Sequence, residues 1–180
     1  MNIALVTIEL VLVLLLAWVS VEDYIFRAVS WIVYPFLMLA ATAYSLKHID
    51  WQQWISHISF NFFFVSAQLI FLTVYFSIRS AQFVNVSMRL IGWGDILFFL
   101  SAGLLFAPAN YCVFYVFTLT LALFFGLLYR LVASRKNRGI PLAGIQATTL
   151  AVLLVVSMLS PGLDLTDDTW VLNHATMQGE

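Results

Sequence analysis

The chain carries little charge. Only 9% of its 180 residues are Asp, Glu, Lys or Arg, against about 25% in a soluble globular domain. Hydrophobic residues make up 63%, and the mean hydropathy is +0.98. A single cysteine, Cys112, excludes an intramolecular disulfide and any multi-cysteine zinc site. The three histidines, His48, His57 and His174, lack the paired spacing of a helical metal motif. No metal and no cofactor is therefore expected. No basic patch with interleaved aromatics points to nucleic acid, and no glycine-rich loop fits a phosphate. The first apolar run also lacks a basic segment before it and a small-x-small cleavage site after it. It reads as a retained transmembrane helix rather than a signal peptide.

Long apolar runs fill the space left by these absences. Six segments are long enough, at about 20 residues, to cross a hydrocarbon core. They span roughly Ile3–Val21, Ala28–Leu46, Trp54–Ile78, Ile91–Pro108, Tyr111–Ala133 and Pro141–Ser160. The expected fold is all-α, a polytopic membrane protein of six transmembrane helices. Residues 1–160 form one domain in the bilayer, and 161–180 form an acidic extracytoplasmic tail. Pro35, inside the second segment, predicts a kink there. There is no soluble domain, linker or low-complexity tract, and nothing in the sequence sets an oligomeric state.

Basic residues orient the chain. With the N-terminus outside, the first, third and fifth connections and the helix ends facing them are cytoplasmic. They hold Arg27, Arg79, Arg89, Arg130, Arg135, Lys136 and Arg138, and only Lys47 falls outside. The opposite topology inverts the rule, so N-out, C-out is expected.

That orientation gives depth to the acids. An ionisable group within a span is costly and marks a functional site by default. Asp23 closes the first helix at the cytoplasmic face. Asp95 opens the fourth, about one turn inside that same face. Two carboxylates 72 residues apart thus reach one level, although basic residues alone set the topology. Facing each other in a small, partly desolvated site, one carboxyl keeps its proton while the other ionises. The ionised group can take a proton from water, and the protonated one can polarise a carbonyl. The plainer reading makes each a helix-end residue, Asp23 solvated and Asp95 favoured by the helix dipole.

Gly92 and Gly94 flank Trp93 just before Asp95. Bare backbone there would let an extended substrate approach, or would serve helix packing alone. Glu9 lies about 21 Å along the helix from Asp23 and cannot share its site. His57, Asn61 and Gln68 fall on one face of the third helix, which should point inward. His57 lies at the depth of Glu9, and a structural contact between them is expected.

Three stretches resemble the type IV prepilin peptidases, the GxGD-type intramembrane aspartyl proteases. "GWGD" (Gly92–Asp95) matches the second catalytic motif of that family. "EDYIFRAVSW" (Glu22–Trp31) is similar to the first, an aspartate followed by a basic residue, here Arg27. "RKNRGIPLAG" (Arg135–Gly144) resembles the basic cytoplasmic loop leading into the last helix. The chain departs from the family pattern at Ser30-Trp31 and at Leu97. It also lacks the cysteine-rich insertion of the large members that methylate their product, and so resembles the small, peptidase-only branch. The resemblance covers essentially the whole chain. It implies Asp23 and Asp95 as the catalytic pair and Gly92, Gly94 and Arg27 as motif residues. It also implies a multi-pass protein of the cytoplasmic (inner) membrane, serving type IV pilus assembly or protein secretion. The substrate would be a prepilin- or pseudopilin-like protein, cut after its basic leader. The alternatives are a catalytically inactive homologue, or a non-enzymatic membrane subunit or small ion-coupled transporter. A transporter would spread its acids across the midplane, whereas this chain gathers two at one face.

Overall fold

A computed structural model describes residues 3–80, 92–132, 141–160 and 164–169, the side chains of 129–132 excepted. Among the described residues all regular structure is helical. A helix satisfies its own backbone hydrogen bonds, which apolar surroundings demand. The elements are α1 (Ile3–Phe26), α2 (Val33–His48), α3 (Trp51–Ser80), α4 (Trp93–Gly103), α5 (Pro108–Val132) and α6 (Leu142–Leu159). Four of them, α1, α3, α5 and α6, are long and apolar enough to cross a membrane. Large apolar side chains such as Leu14, Trp18, Phe63, Phe71 and Leu123 face away from the bundle. In water such a surface would drive association, whereas lipid wets it. The molecule is a helical membrane protein.

Three of the shifts from the expected boundaries bear on the site. The first helix runs past Val21 to Phe26 and so takes Asp23 inside it. It ends at Arg27, whose φ of 57° is left-handed and whose N–H bonds the Asp23 carbonyl at 3.0 Å. This is a left-handed helix end built without glycine. The second helix starts only at Val33, so Pro35 lies in its first turn. A proline there removes no helical hydrogen bond and causes no kink. The fourth helix stops at Gly103 instead of Pro108, and Pro108 opens α5.

The break between α4 and α5 is buried. Leu105, Phe106 and Ala107 are all in the core, where free carbonyls are expensive. Side chains from two other helices supply the donors. Asn61 Nδ2 donates to the carbonyls of Gly103 and Phe106, each at 2.9 Å. Ser45 Oγ donates to Leu104 at 2.7 Å, and Trp54 Nε1 reaches the same carbonyl at 3.4 Å. Asn61 is fully buried, as its place on the polar stripe of α3 requires, and Gln68 on that stripe accepts from Tyr115 at 3.0 Å. α1 packs along α6 and α2, while α4 wedges against α2, α3 and α6. The C-terminal end of α1 and the N-terminal ends of α4 and α6 therefore share one end of the bundle.

At the opposite end, residues 164–169 fold back onto α5. Asp164 and Asp167 each accept from the N–H and hydroxyl of the threonine two residues on. These are two consecutive Asx turns written by the repeat Asp-x-Thr. They set Leu165 into the core, where its carbonyl accepts from Ala107 at 2.9 Å.

Candidate active site

The site lies where three helix ends meet. Asp23 is buried, one turn before the end of α1. Asp95 is half-buried in the first turn of α4. Between them stands the N-terminus of α6, led by Pro141. The first amides of a helix have no partner within it. Here the third is taken by Asp23, and the second faces Asp95. Gly144 N–H donates to Asp23 Oδ2 at 2.6 Å. The N–H of Ala143, its neighbour, and that of Gly92 act electrostatically on the Asp95 carboxylate. Both carboxylates face the first turn of α6, and the charge of Asp23 acts on Asp95.

The opposite end of the molecule offers a comparison. α5 has a proline, Pro108, as its first residue, and the N–H groups of its second and third residues, Ala109 and Asn110, also face a remote carboxylate. There one residue serves for both, with Asp168 accepting at 3.1 and 3.0 Å through its two oxygens. A single carboxylate is thus enough to cap such a helix. At the start of α6 one amide binds Asp23 and a second carboxylate, Asp95, stands within electrostatic reach of the next, one acid more than capping needs.

Glycines make the approach feasible by their size. None of the described glycines has a positive φ, so dihedral freedom is not their purpose. A Cβ on Gly144 would stand 3.1 Å from Asp23 Oδ2 and 3.3 Å from Asp23 Cβ. One on Gly92 would stand 3.3 Å from Asp95 Oδ2, and one on Gly94 3.3 Å from the Tyr34 hydroxyl. The space beside Gly92 and Gly94 is thus filled by side chains of the site itself. Below this turn, Ser20 and Thr148 link α1 to α6: Thr148 Oγ1 donates to Ser20 Oγ at 3.1 Å and to Gly144 O at 2.8 Å.

Arg27 is exposed, and its charge acts on Asp23. A left-handed non-glycine residue costs about 1 kcal/mol, and such outliers gather at functional sites. The family departure at Ser30 has a local partner: Ser30 N–H and Oγ donate to the Glu22 carboxylate at 2.8 and 3.1 Å. Glu22 thus closes the α1–α2 connection. Leu97 packs against the core.

The structure brings together Asp23, Asp95, Gly92, Gly94 and Arg27. It does not bring Glu9 to His57, whose electrostatic partners are Asp168 and Asp167. Arg89 and the loop residues Arg135, Lys136 and Arg138 lie outside the described residues, as does the side chain of Arg130. Sequence reasoning missed Ala143, Gly144 and Tyr34. Gly144 had a visible signal, because it closes the "GIPLAG" stretch. Ala143 acts through its backbone, which no side-chain pattern reveals. Among the described residues no three His, Cys, Asp or Glu converge as a metal site would require. No protein-family model, curated protein or solved structure matches the chain.

Proposed function

We propose that the protein is an intramembrane aspartyl endopeptidase that removes the basic leader of a prepilin-like protein at the cytoplasmic face of the inner membrane. The observation that carries this reading is the second carboxylate at the start of α6. Capping explains one acid there, while a water-activating pair explains two. In this reading α2 and α4 complete six spans in the N-out, C-out orientation, although they have only 16 and 11 helical residues. Bilayers adapt to such short elements at modest cost.

The chemistry follows from the pair. One carboxyl holds a proton and the other is ionised. The ionised group takes a proton from the water between them, and the water oxygen bonds to the scissile carbonyl carbon. The protonated group passes its proton to the carbonyl oxygen. The carbon–nitrogen bond then breaks and the departing amine takes up a proton. No covalent enzyme intermediate forms. The α6 dipole, positive at this end, lowers the cost of the dyad's charge.

The test is co-expression with a pilin-like protein bearing a basic leader and an apolar helix, read as a size shift. Asp23→Asn and Asp95→Asn should each abolish the shift while the protein still inserts. Full cleavage by Asp95→Asn would overturn the mechanism. No shift with the unaltered protein would instead favour a non-enzymatic subunit.

A further inference from the structure

Among the described residues four tyrosines are buried in the bundle: Tyr34, Tyr44, Tyr111 and Tyr115. Three of the hydroxyls have partners. Tyr111 donates to Phe99 O at 2.9 Å, Tyr115 donates to Gln68 Oε1 at 3.0 Å, and Tyr44 bonds the Ser157 side chain. Tyr34 is 1% exposed, and its hydroxyl has no partner among the described residues. A buried hydroxyl with no partner is costly, and phenylalanine would fill the same space without that cost. The hydroxyl is not in neutral surroundings. It sits against Gly94, where a Cβ would be 3.3 Å away, one residue before Asp95. The charges acting on it are Asp95 from α4 and Asp23 and Glu22 from α1, with Asp95 foremost.

We infer that Tyr34 is a positioning residue, whose hydroxyl donates to the Asp95 carboxyl when the dyad engages its substrate. The inference rests on the peptidase reading for its occasion, although the contact itself is independent of turnover. Hydrogen bonds of catalytic groups are often long in the free enzyme and tighten in the complex. Gly94 has no side chain to stand between the phenol and the neighbouring carboxyl. A donor held there would orient one oxygen of Asp95 toward it, leaving the other for water or the scissile carbonyl.

Tyr34→Phe tests this on the full-length protein in detergent micelles. The unfolding midpoint should be no lower than that of the unaltered protein, because no hydrogen bond is lost in the free state. With a prepilin-like substrate, kcat should fall about tenfold to a hundredfold, the range set by misplacing a reacting group, and KM should hold. A purely structural hydroxyl would leave kcat and KM unchanged together. A second readout needs no turnover: with an uncleavable leader-peptide analogue bound, the infrared carboxyl band assigned by its loss in Asp95→Asn should shift in Tyr34→Phe. If the unaltered protein cleaves but Tyr34→Phe matches it in kcat and leaves the band in place, the inference is overturned and the peptidase reading stands. If nothing cleaves, the peptidase reading fails, and the band alone decides whether the hydroxyl meets Asp95.

Discussion

At the scale of single residues, size and backbone placement matter more here than residue chemistry alone. Gly144 lets a buried carboxylate reach an amide at 2.6 Å because nothing projects from its Cα. Gly144→Ala puts a methyl 3.1 Å from the oxygen that accepts this bond. Helix α1 would have to yield, and overpacking of this kind costs about 1–3 kcal/mol. The expected outcome is a lower unfolding temperature together with loss of most leader cleavage, measured in the same preparation. Unchanged stability and activity would show that Asp23 does not need this amide. Asp167 offers a test by pH. Its carboxyl is held below the usual carboxylate range, first by the Thr169 N–H and then by the Thr169 hydroxyl. A depressed folded value contributes stability that is present above the ordinary carboxylate value, near 3.9, and lost as pH falls through the lower folded one. Asp167→Ala should therefore lower the unfolding temperature slightly at neutral pH, and the difference should shrink below about pH 3.9. A difference that grew on acidification would contradict the assignment.

At the scale of elements, the decisive features are helix ends. Two helices have a proline at or just before their first residue and leave amides of their first turn to distant carboxylates, in α5 to both oxygens of Asp168 and in α6 to Asp23, with Asp95 beside it. Neither arrangement shows in hydropathy, because the partners are far apart in sequence. The break after α4 is the other such feature. Asn61 on α3 satisfies two carbonyls of that break, and the sequence marks it only as part of an inward polar stripe. Asn61→Ala leaves two buried acceptors short of a donor. Each unsatisfied buried group costs about 1–3 kcal/mol, so a loss of roughly 2 kcal/mol or more is expected in an unfolding titration. A change within error would mean that other donors take over both carbonyls.

At the scale of the whole molecule, the open structural question is how a bundle with two short helices sits in its bilayer. Trp31, 71% exposed, and Asp50 flank α2 on its two sides. In a Cys112→Ala background, Trp31→Cys should react with an impermeant thiol reagent only from the cytoplasmic side, and Asp50→Cys only from outside. Labelling of the two from one side would show that α2 does not cross, and would remove the six-span arrangement with it.

The sequence by itself determined that the chain is helical and membrane-borne, since hydropathy and helix length act locally and leave a mark in any window of the chain. It also marked two aspartates as out of place, because a carboxylate beside an apolar run is costly wherever the helix packs. Only the tertiary structure decided that Asp23 lies within its helix and not after it, that Pro35 sits in a first turn, and that α4 stops at Gly103. The last depends on donors supplied from α2 and α3, and the first goes with a buried carboxylate that accepts from α6. It alone decided the meeting of Asp23 and Asp95 at the start of α6, and the place of Tyr34 beside them. A backbone N–H has no letter in the sequence, and its partner across the bundle has no fixed spacing from it.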